Sequence, residues 1–541
     1  MKNLNFNPLQ NPFHSVRNTC YAKNGMVATS QPLAAQAGLD VLKKGGNAID
    51  AAIATAACLT VVEPTSNGIG GDAFALVWTN GKLHGLNSSG KSPKSISIEK
   101  VRALGHKEMP KMGVVPITVP GAPGAWVELS QKFGSLPLSE VLAPAINYAQ
   151  NGYPLSPTLG KYWARGYEIY KSRLTGDEYS PWFETFAPNG RAPQIGELWR
   201  SHTHAKTLQE IAETKAESFY RGNLAEKIFG YISKHGGFLT AEDLAGFKPE
   251  WVAPISVNYR GFDVWEIPPN GQGIVALIAL NVIKAFPFMS QDIFSADMYH
   301  KQFEVIKLAF ATGKAAVTDP NYMKYSTEEL LSEGFAQELC KKITDTAQEP
   351  VTHLPPKSGT VYLATADGEG NMVSYIQSNY MGFGSGIVIP GTGIAMQNRG
   401  ADFSLDSSHI NALEGGKKTY HTIIPGFLTK DGDAVGPFGV MGGYMQPQGH
   451  MQVIMNTIDF KLNPQTALDA PRWQWTQGKT FEVEHHFPKH IAEELSTRGH
   501  DIKMCVDSGG FGRGQIIWRD ETTGILAGGT EHRTDGAIAH W

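Results

Sequence analysis

The chain has 541 residues, of which 41% are hydrophobic and 18% are charged, and its formal net charge at pH 7 is −4. This balance is typical of a globular protein, and the lack of a basic surplus gives no support for nucleic-acid binding. The longest apolar stretch, Ala51 to Val62, falls short of the about 20 residues that a membrane-spanning helix needs.

Length alone would suggest three or four domains, but no low-complexity linker divides the chain, which favours one large compact body. The four cysteines are scattered without paired spacing, so no disulfide framework is indicated. The 17 histidines show no zinc-type spacing, and we interpret His485-His486 as a surface pair. We therefore expect no metal and no cofactor.

The first elements along the chain are a polar N-terminal segment and a buried helix. Met1 to Val27 has no apolar leader core, which favours a cytoplasmic location. Asn47, with Asp50 three residues later, resembles a capping box and predicts a helix from Ala48 to about Val61. The region 130–350 is predicted to be mostly helical, and short strands separated by turns dominate after it.

The tripeptide Ser358-Gly359-Thr360 leads directly into the strand-like run Val361 to Ala366. At such a position the Thr360 hydroxyl could attack the Gly359 carbonyl, so that hydrolysis of the resulting ester frees Thr360 as a new N-terminus. Such a threonine supplies both the nucleophile and, in its α-amine, the base. Ser-Gly-Thr is also common in ordinary turns, which is the alternative interpretation of this tripeptide alone.

A turn signal at 367–371 separates this strand from a second one, Met372 to Ser378. If the turn is centred on Glu369, antiparallel pairing places Thr360 opposite Ser378, where Cβ atoms are ~4.5–5.5 Å apart. A second hydroxyl would then hold or polarise the nucleophile. The alternatives are an ordinary Thr–Ser cross-strand pair and a register that slips by one residue.

A glycine-rich segment, 439–449, contains Gly442 and Gly443 in succession. Consecutive glycines let backbone N–H groups point the same way and form a small anion-binding concavity, which a tetrahedral intermediate requires. A helix predicted over 448–460 would add positive dipole character to the concavity. The alternative is that Gly-Gly forms a plain turn.

Several further motifs, taken in their order, identify the chain as a member of the γ-glutamyltranspeptidase family of self-cleaving N-terminal-nucleophile hydrolases. It looks most similar to the branch of cephalosporin acylases and transpeptidase-like proteins. The motifs that carry this resemblance are Gly45 to Ala52, Glu63-Pro64, Gly68 to Asp72, Val119-Pro120-Gly121, Pro268 to Gly273, Asp319-Pro320, Gln397 to Gly400, Asp402-Phe403, His421 to Pro425, Gly442-Gly443 and Asp469 to Arg472.

The resemblance implies an α+β fold, a four-layer αββα sandwich with antiparallel sheets. It also implies cleavage between Gly359 and Thr360 into a large segment, 1–359, and a small segment, 360–541. The two products would stay together as a heterodimer and interleave in one structural domain.

The resemblance also implies roles for single residues. Thr360 matches the nucleophile, and Ser378 matches the hydroxyl that positions it. Gly442 and Gly443 match the oxyanion-hole glycines. Asp402 matches the carboxylate that binds the α-ammonium group of the substrate, so the set of catalytic groups is complete.

The residues that bind the substrate depart from the pattern of the true transpeptidases. Ser89 stands at the arginine that grips the α-carboxylate, and Tyr380 stands at an asparagine. Arg399 replaces a glutamine, and His421-Thr422 replaces a Ser-Ser pair that also binds the α-carboxylate. Loss of an arginine–carboxylate fork removes a strong bidentate contact.

Arg399 is open to two interpretations: it supplies a replacement cation for the substrate, or it is neutralised in a pair with Asp402. We therefore expect hydrolysis or transfer of γ-glutamyl-like or glutaryl-like acyl groups from small-molecule amides. The alternative is an unprocessed, catalytically silent relative that acts as a small-molecule binding protein. A nucleotide-binding interpretation of Gly68 to Asp72 lacks the strand–helix context that it needs.

Overall fold

The computed structural model of the chain describes residues 17–288, 293–350, 352, 354 and 359–541. Most of the N-terminal segment that bears on the predicted location therefore lies outside the described residues, as does Ser358.

The strands, in chain order, are β1 (Cys20–Ala22), β2 (Gly25–Thr29), β3 (Asp72–Thr79), β4 (Lys82–Ser88), β5 (Tyr153–Pro154), β6 (Leu198–Trp199), β7 (Glu250–Val252), β8 (Ile255–Tyr259), β9 (Phe262–Glu266), β10 (Val361–Asp367), β11 (Met372–Ser378), β12 (Gly426–Lys430), β13 (Asp433–Met441), β14 (Trp473–Gln477), β15 (Thr480–Glu484), β16 (Asp501–Cys505), β17 (Arg513–Arg519), β18 (Leu526–Thr530) and β19 (Ala537–His540).

The helices are α1 (Pro32–Lys43), α2 (Ala48–Val62), α3 (Ile98–Ala103), α4 (Ala122–Phe133), α5 (Leu138–Asn151), α6 (Pro157–Arg173), α7 (Ser180–Phe186), α8 (His202–Thr214), α9 (Glu217–Arg221), α10 (Asn223–Lys234), α11 (Ala241–Ala245), α12 (Gly273–Ile283), α13 (Ala296–Ala316), α14 (Thr327–Leu330), α15 (Glu333–Cys340), α16 (Met445–Ile458), α17 (Pro464–Asp469) and α18 (Lys489–Thr497). Short 3₁₀ turns include Asp177–Tyr179, Pro320–Tyr322, Arg399–Asp402 and Ser508–Gly510.

Two antiparallel sheets of seven strands each form the centre of the described residues. Sheet A has the order β1-β18-β17-β13-β12-β9-β8, and sheet B has the order β19-β2-β10-β11-β3-β4-β7. Both sheets take strands from either side of Thr360, so the segments 1–359 and 360–541 share one sandwich. The strands β7, β8 and β9 come from within the mostly helical region 130–350 and extend both sheets.

Alternation along β10 shows how one strand contributes to two layers of core. Tyr362 and Ala364 belong to the cluster between the two sheets, together with Phe427 of sheet A. Val361 and Leu363 face the other way, into the cluster formed with α2. The far face of sheet A packs in the same manner on α12, α13 and α16. The result is the predicted αββα sandwich.

Helix α2 is buried along its whole length, which explains why its sequence is apolar on every side. The side chain of Asn47 accepts from Ile49 and Asp50, and the Asp50 side chain accepts in return from the backbone of Asn47. This is the predicted capping box, and the helix extends one residue beyond the predicted end. Within the described residues we find no helix that combines the length and the apolar character needed to cross a membrane.

Candidate active site

Thr360 lies at the head of β10, in contact with Ser378 at the end of β11. The two strands pair with Val361 opposite Gln377, which continues to Thr360 opposite Ser378 and confirms the predicted register. Thr360 Oγ1 lies 3.1 Å from Ser378 Oγ and 2.8 Å from the carbonyl oxygen of Gly359. Ser378 Oγ itself donates to the Gly359 carbonyl oxygen at 2.9 Å. The carbonyl that the hydroxyl would attack is therefore polarised by a neighbouring donor.

The chain before Thr360 is held by a residue in a strained conformation. The backbone N–H of Gly359 donates to the Tyr380 carbonyl at 2.9 Å, and the Tyr380 N–H donates to Ser378 Oγ at 2.8 Å. Tyr380 has φ = +75°, a left-handed conformation that is rare for a bulky residue. Thr360 is fully buried in this arrangement. Such strain typically marks a functional site, because the surrounding contacts must impose it.

Gly442 and Gly443 follow β13 and precede helix α16, which begins at Met445. Their φ values are +139° and +60°, conformations that glycine adopts without a steric penalty. Gln272 Nε2 donates to the Gly443 carbonyl at 2.8 Å and so holds the turn in place. Gly442 and Gly359 line the same groove, of about 730 Å³, which we call the Gly442 groove. The helix begins three residues earlier than predicted, immediately after the glycine turn.

Asp402 is already hydrogen-bonded by two tyrosines. The hydroxyls of Tyr380 and Tyr444 both donate to Asp402 Oδ1 at 2.9 Å. Tyr444 Oη in turn accepts a hydrogen bond from Lys314 Nζ. Asp402 and Lys314 line a second cavity, of about 660 Å³, which we call the Asp402 cavity. Lys111 lines both this cavity and the Gly442 groove, so the two spaces adjoin.

Arg399 is fully buried beneath the ring of Tyr380. Its guanidinium carbon lies 4.1 Å from the centroid of that ring, a cation–π contact. One nitrogen, Nη1, donates to Thr422 Oγ1 at 2.8 Å and lies 3.8 Å from Asp402 Oδ2. Of the two interpretations of Arg399, these contacts favour neutralisation by Asp402.

His421 points to a different acid, Asp72, at the start of β3. His421 Nε2 lies 3.1 Å from Asp72 Oδ2, and both side chains are buried. Burial raises the pKa of Asp72 to about 7, against the opposing effect of Arg399. Burial also lowers the pKa of His421 well below its usual range. Asp72 on β3 lies opposite Ser378 on β11, and Ser378 in turn lies opposite Thr360. The three residues are therefore neighbours across adjacent chain segments.

Ser89 belongs to a polar network with Asn87 and Asn270. Its hydroxyl donates to Asn87 Oδ1 at 2.7 Å, and the side chain is buried. The next residue, Gly90, directs its N–H toward Asp72 Oδ1 at 3.4 Å. The structure therefore brings Tyr380, Arg399, Asp402 and Thr422 together, whereas the side chain of Ser89 contacts Asn87 and Asn270.

Comparison with known protein families identifies the family of this chain. The family model described as gamma-glutamyltranspeptidase matches residues 34–541. The chain belongs to the γ-glutamyltranspeptidase family. It is thus an enzyme of the family's hydrolase and acyltransferase class.

Relatives within the γ-glutamyltranspeptidase family cover nearly the whole chain. The glutathione hydrolase-like YwrD proenzyme of Bacillus subtilis is 37% identical over 95% of this chain and 97% of its own length. The oxamate amidohydrolase proenzyme of Klebsiella pneumoniae is 33% identical over 95% of this chain and 98% of its own. The crystal structure of cephalosporin acylase from Bacillus halodurans is 65% identical, covers 99% of both chains and has a TM-score of 0.97.

Three further residues lie beside the predicted site residues, although the sequence does not predict them as site residues: Asp72, Tyr444 and Lys314. Asp72 ends one of the motifs that carry the family resemblance, so its position in that motif was an available signal. Tyr444 directly follows Gly443, which is a weaker signal. Lys314 lies on α13, 88 positions before Asp402 in the sequence, and no local pattern marks it.

One further cluster has the chemistry of metal ligands. Within the described residues, His300, Glu304 and His500 form a buried group. His300 Nδ1 lies 2.8 Å from His500 Nε2, and Lys307 Nζ lies 2.7 Å from Glu304 Oε1. Glu304, the carboxylate of this group, is therefore already paired with the ammonium of Lys307. His300 Nε2 lies 2.7 Å from the carbonyl oxygen of Thr344, which anchors the chain that leads toward Gly359.

Proposed function

We propose that the chain cleaves itself between Gly359 and Thr360 and that Thr360 then transfers acyl groups from small-molecule amides to water or to an amine. The observation that carries this proposal is the contact of Thr360 Oγ1 with both the Gly359 carbonyl oxygen and Ser378 Oγ. A hydroxyl placed beside a carbonyl that already accepts a hydrogen bond has both a target and a means of stabilising the charge that develops there.

Self-cleavage proceeds by attack of Thr360 Oγ1 on the carbonyl carbon of Gly359. The peptide C–N bond breaks, the Thr360 nitrogen takes up the proton, and an ester joins Gly359 to the threonine oxygen. Water then hydrolyses this ester and leaves a carboxylate on Gly359 and a free α-amine on Thr360. Departure of Gly359 also removes its hydrogen bond to Tyr380 and opens the way to the nucleophile.

In turnover the neutral α-amine of Thr360 accepts the proton of its own hydroxyl while the oxygen attacks the substrate amide. A free α-amine has a pKa of ~7.7–8.0, so a useful fraction is neutral near pH 7.5. The N–H groups of Gly442 and Gly443 bind the oxyanion, and the leaving amine takes the proton. Water or an acceptor amine then releases the acyl group from Thr360.

The acyl group is γ-glutamyl-like or glutaryl-like. The names of the relatives support this range, since they include a glutathione hydrolase-like protein, an oxamate amidohydrolase and a cephalosporin acylase. The hydrogen bonds that Tyr380 and Tyr444 donate to Asp402 Oδ1 favour the glutaryl-like end, because they leave that oxygen with fewer lone pairs for an α-ammonium group.

The two products of cleavage stay together as a heterodimer. Strand β10 of the small segment lies between β2 of the large segment and β11, and β3 pairs on the other side of β11. Separation would expose several strand edges and the core between the sheets, so the products remain associated without a covalent link.

Intact mass and N-terminal sequencing of the purified protein test the proposal. We expect fragments of about 39 and 20 kDa from the 58.8 kDa chain, the smaller beginning at Thr360. The Thr360→Ala variant should stay intact and hydrolyse no amide. A wild-type protein that stays at 58.8 kDa over days would instead favour the silent binding protein, and a Thr360→Ala variant that matures and turns over would exclude Thr360 as nucleophile.

A further inference from the structure

Lys314 is a half-buried cation beside Asp402 that the family-based assignment of roles leaves unused. It lies in the last turn of α13 and lines the Asp402 cavity. Its ammonium nitrogen lies 4.1 Å from the ring centroids of both Tyr420 and Tyr444. The two rings cover part of the ammonium group, and desolvation lowers the pKa of Lys314 to about 8.

No carboxylate among the described residues lies within ion-pair distance of Lys314 Nζ. Its hydrogen bond goes to the hydroxyl of Tyr444, which donates in turn to Asp402. Taking an ammonium out of water without an anionic partner is costly, so a protein normally pairs such a group or uses it. A carboxylate that enters the Asp402 cavity would complete the pairing.

Arg399 is not suited to this task, although it was one of the cations considered from the sequence. It is fully buried, it is covered by the Tyr380 ring, and it lines neither of the two cavities described above. Lys314, in contrast, lines the Asp402 cavity directly. Of these two cations near Asp402, only Lys314 therefore reaches the cavity.

The position of Lys314 relative to Gly442 and Gly443 also suits binding of the distal end of an acyl chain. Tyr444, which accepts its hydrogen bond, comes directly after Gly442 and Gly443. A short acyl chain whose carbonyl oxygen rests on those glycines would extend over the side of Tyr444 toward Lys314. A group at the distal end of the chain would then meet the ammonium.

We propose that Lys314 determines acyl specificity by binding the distal carboxylate of the acyl chain. This proposal rests on the proposed function of Thr360 and narrows its substrate class to monoamides of short dicarboxylic acids, with or without an α-ammonium group. The interaction forms an ion pair in a partly buried site, where such pairs are stronger than at a fully exposed surface.

The test compares a charged acyl group with a neutral one of similar length. Glutaryl-p-nitroanilide and pentanoyl-p-nitroanilide share a leaving group and differ mainly in the distal carboxylate. We expect Lys314→Met to lower the ratio of their kcat/KM values, glutaryl over pentanoyl, at least about 10-fold. Lys314→Arg should restore most of the ratio. Lys107→Met, which removes an exposed cation lining the same cavity, is the matched control and should leave the ratio near the wild-type value.

The experiment distinguishes an error in the role of Lys314 from an error in the proposed function of Thr360. A wild-type protein that does not mature, or that hydrolyses neither anilide, contradicts the function of Thr360. A mature Lys314→Met enzyme with an unchanged ratio overturns the role of Lys314. A second measurement, on the wild type, does not depend on the folding of this variant. Glutarate should inhibit pentanoyl-p-nitroanilide hydrolysis at least about 10-fold more strongly than pentanoate does, and equal inhibition also overturns the proposal.

Discussion

The Tyr380 hydroxyl donates to Asp402 Oδ1 at 2.9 Å, and the Tyr380 carbonyl oxygen accepts a hydrogen bond from the N–H of Gly359, also at 2.9 Å. Tyr380 thus contacts both the proposed cleavage site and the carboxylate that the family resemblance assigns to the α-ammonium group. Its ring also covers Arg399. A single residue therefore restricts access to Asp402, covers Arg399 and holds the backbone of Gly359.

Removing the Tyr380 hydroxyl should make Asp402 more available to an ammonium group. For Tyr380→Phe we expect the ratio of kcat/KM for γ-glutamyl-p-nitroanilide over glutaryl-p-nitroanilide to rise about 10-fold, since hydrogen bonds to charged groups contribute ~1.5–3 kcal/mol. Tyr362→Phe, which removes a buried hydroxyl bonded to Ser374 on the neighbouring strand, serves as the control. A ratio that stays constant in Tyr380→Phe would show that the hydroxyl does not limit binding of the ammonium group.

Ser378 should accelerate maturation by polarising the carbonyl of Gly359. Ser378→Ala removes this donor and the contact with Thr360 Oγ1, so we expect the first-order rate of self-cleavage to fall about 10²-fold. The rate is followed by loss of the 58.8 kDa band after expression in a short pulse. Ser374→Ala on the same strand removes a hydroxyl that contacts Tyr362 instead and should mature at the wild-type rate. Equal rates in the two variants would contradict this role of Ser378.

The part of the site that follows from local sequence was predictable. The turn signal at 367–371 lies between two strand-like runs, and its position alone determines that Thr360 meets Ser378. The capping box at Asn47 and the glycine pair Gly442-Gly443 are local patterns in the same sense. Each of these features depends on residues within about 20 positions of one another, where turn and cap chemistry decide the geometry.

The electrostatic part of the site was not predictable in this way. The contacts of Asp402 with Tyr444 and, through it, with Lys314 join three separate segments that only the sandwich brings together. The state of Arg399 likewise depends on the position of the Tyr380 ring, which follows from an unusual backbone conformation. The sequence motif predicts that Arg399 lies near the pocket. Whether a cation there can bind a substrate depends on its burial and on its hydrogen-bond and ion-pair partners, which the motif does not determine.

Gly442 should resist substitution because its backbone conformation excludes a side chain. At φ = +139°, an added Cβ would lie 3.2 Å from Gly512 Cα and 3.3 Å from Met445 Cβ, so Gly442→Ala must distort the turn. We expect kcat to fall about 10²-fold, comparable to the loss of one oxyanion-hole donor. Gly432→Ala is the control, because Gly432 also has a positive φ, +91°, but a Cβ there meets nothing within 4 Å. Equal effects of the two substitutions would indicate general strain and not a role in the reaction.

Asp72 should make stability depend on pH. Its pKa in the folded protein, about 7, lies above its ordinary value of 3.8, so the folded state holds a proton that the unfolded state has lost between those values. Stability should therefore fall as the pH rises from about 4 to about 7, relative to a variant without this carboxyl. The pKa of His421 is lowered in the folded protein, so this residue makes stability rise with pH. His421 is present in both of the variants compared below.

The measurement compares Thr360→Ala with Thr360→Ala/Asp72→Asn, so that both are uncleaved single chains. We expect the Tm of the double variant minus that of the single variant to increase by several degrees between pH 5 and pH 8. The absolute difference at pH 5 includes the altered hydrogen bond from Gln397 and is not diagnostic. A difference that is constant with pH would mean that Asp72 is ionised throughout this range.

The preference for a distal carboxylate should disappear at alkaline pH. Burial lowers the pKa of Lys314 to about 8, and the groups that face it are Asp402, Tyr420, Tyr444 and His409. Only the ammonium form attracts a carboxylate, so the kcat/KM ratio of glutaryl- over pentanoyl-p-nitroanilide should be constant below pH 7 and fall as the pH rises through about 8. Because both substrates use the same nucleophile, titration of the Thr360 α-amine cancels from this ratio. Lys314→Arg should keep the ratio constant to pH 9.5, since a guanidinium stays charged there. A wild-type ratio that does not change between pH 7 and pH 9.5 would mean that another cation binds the carboxylate.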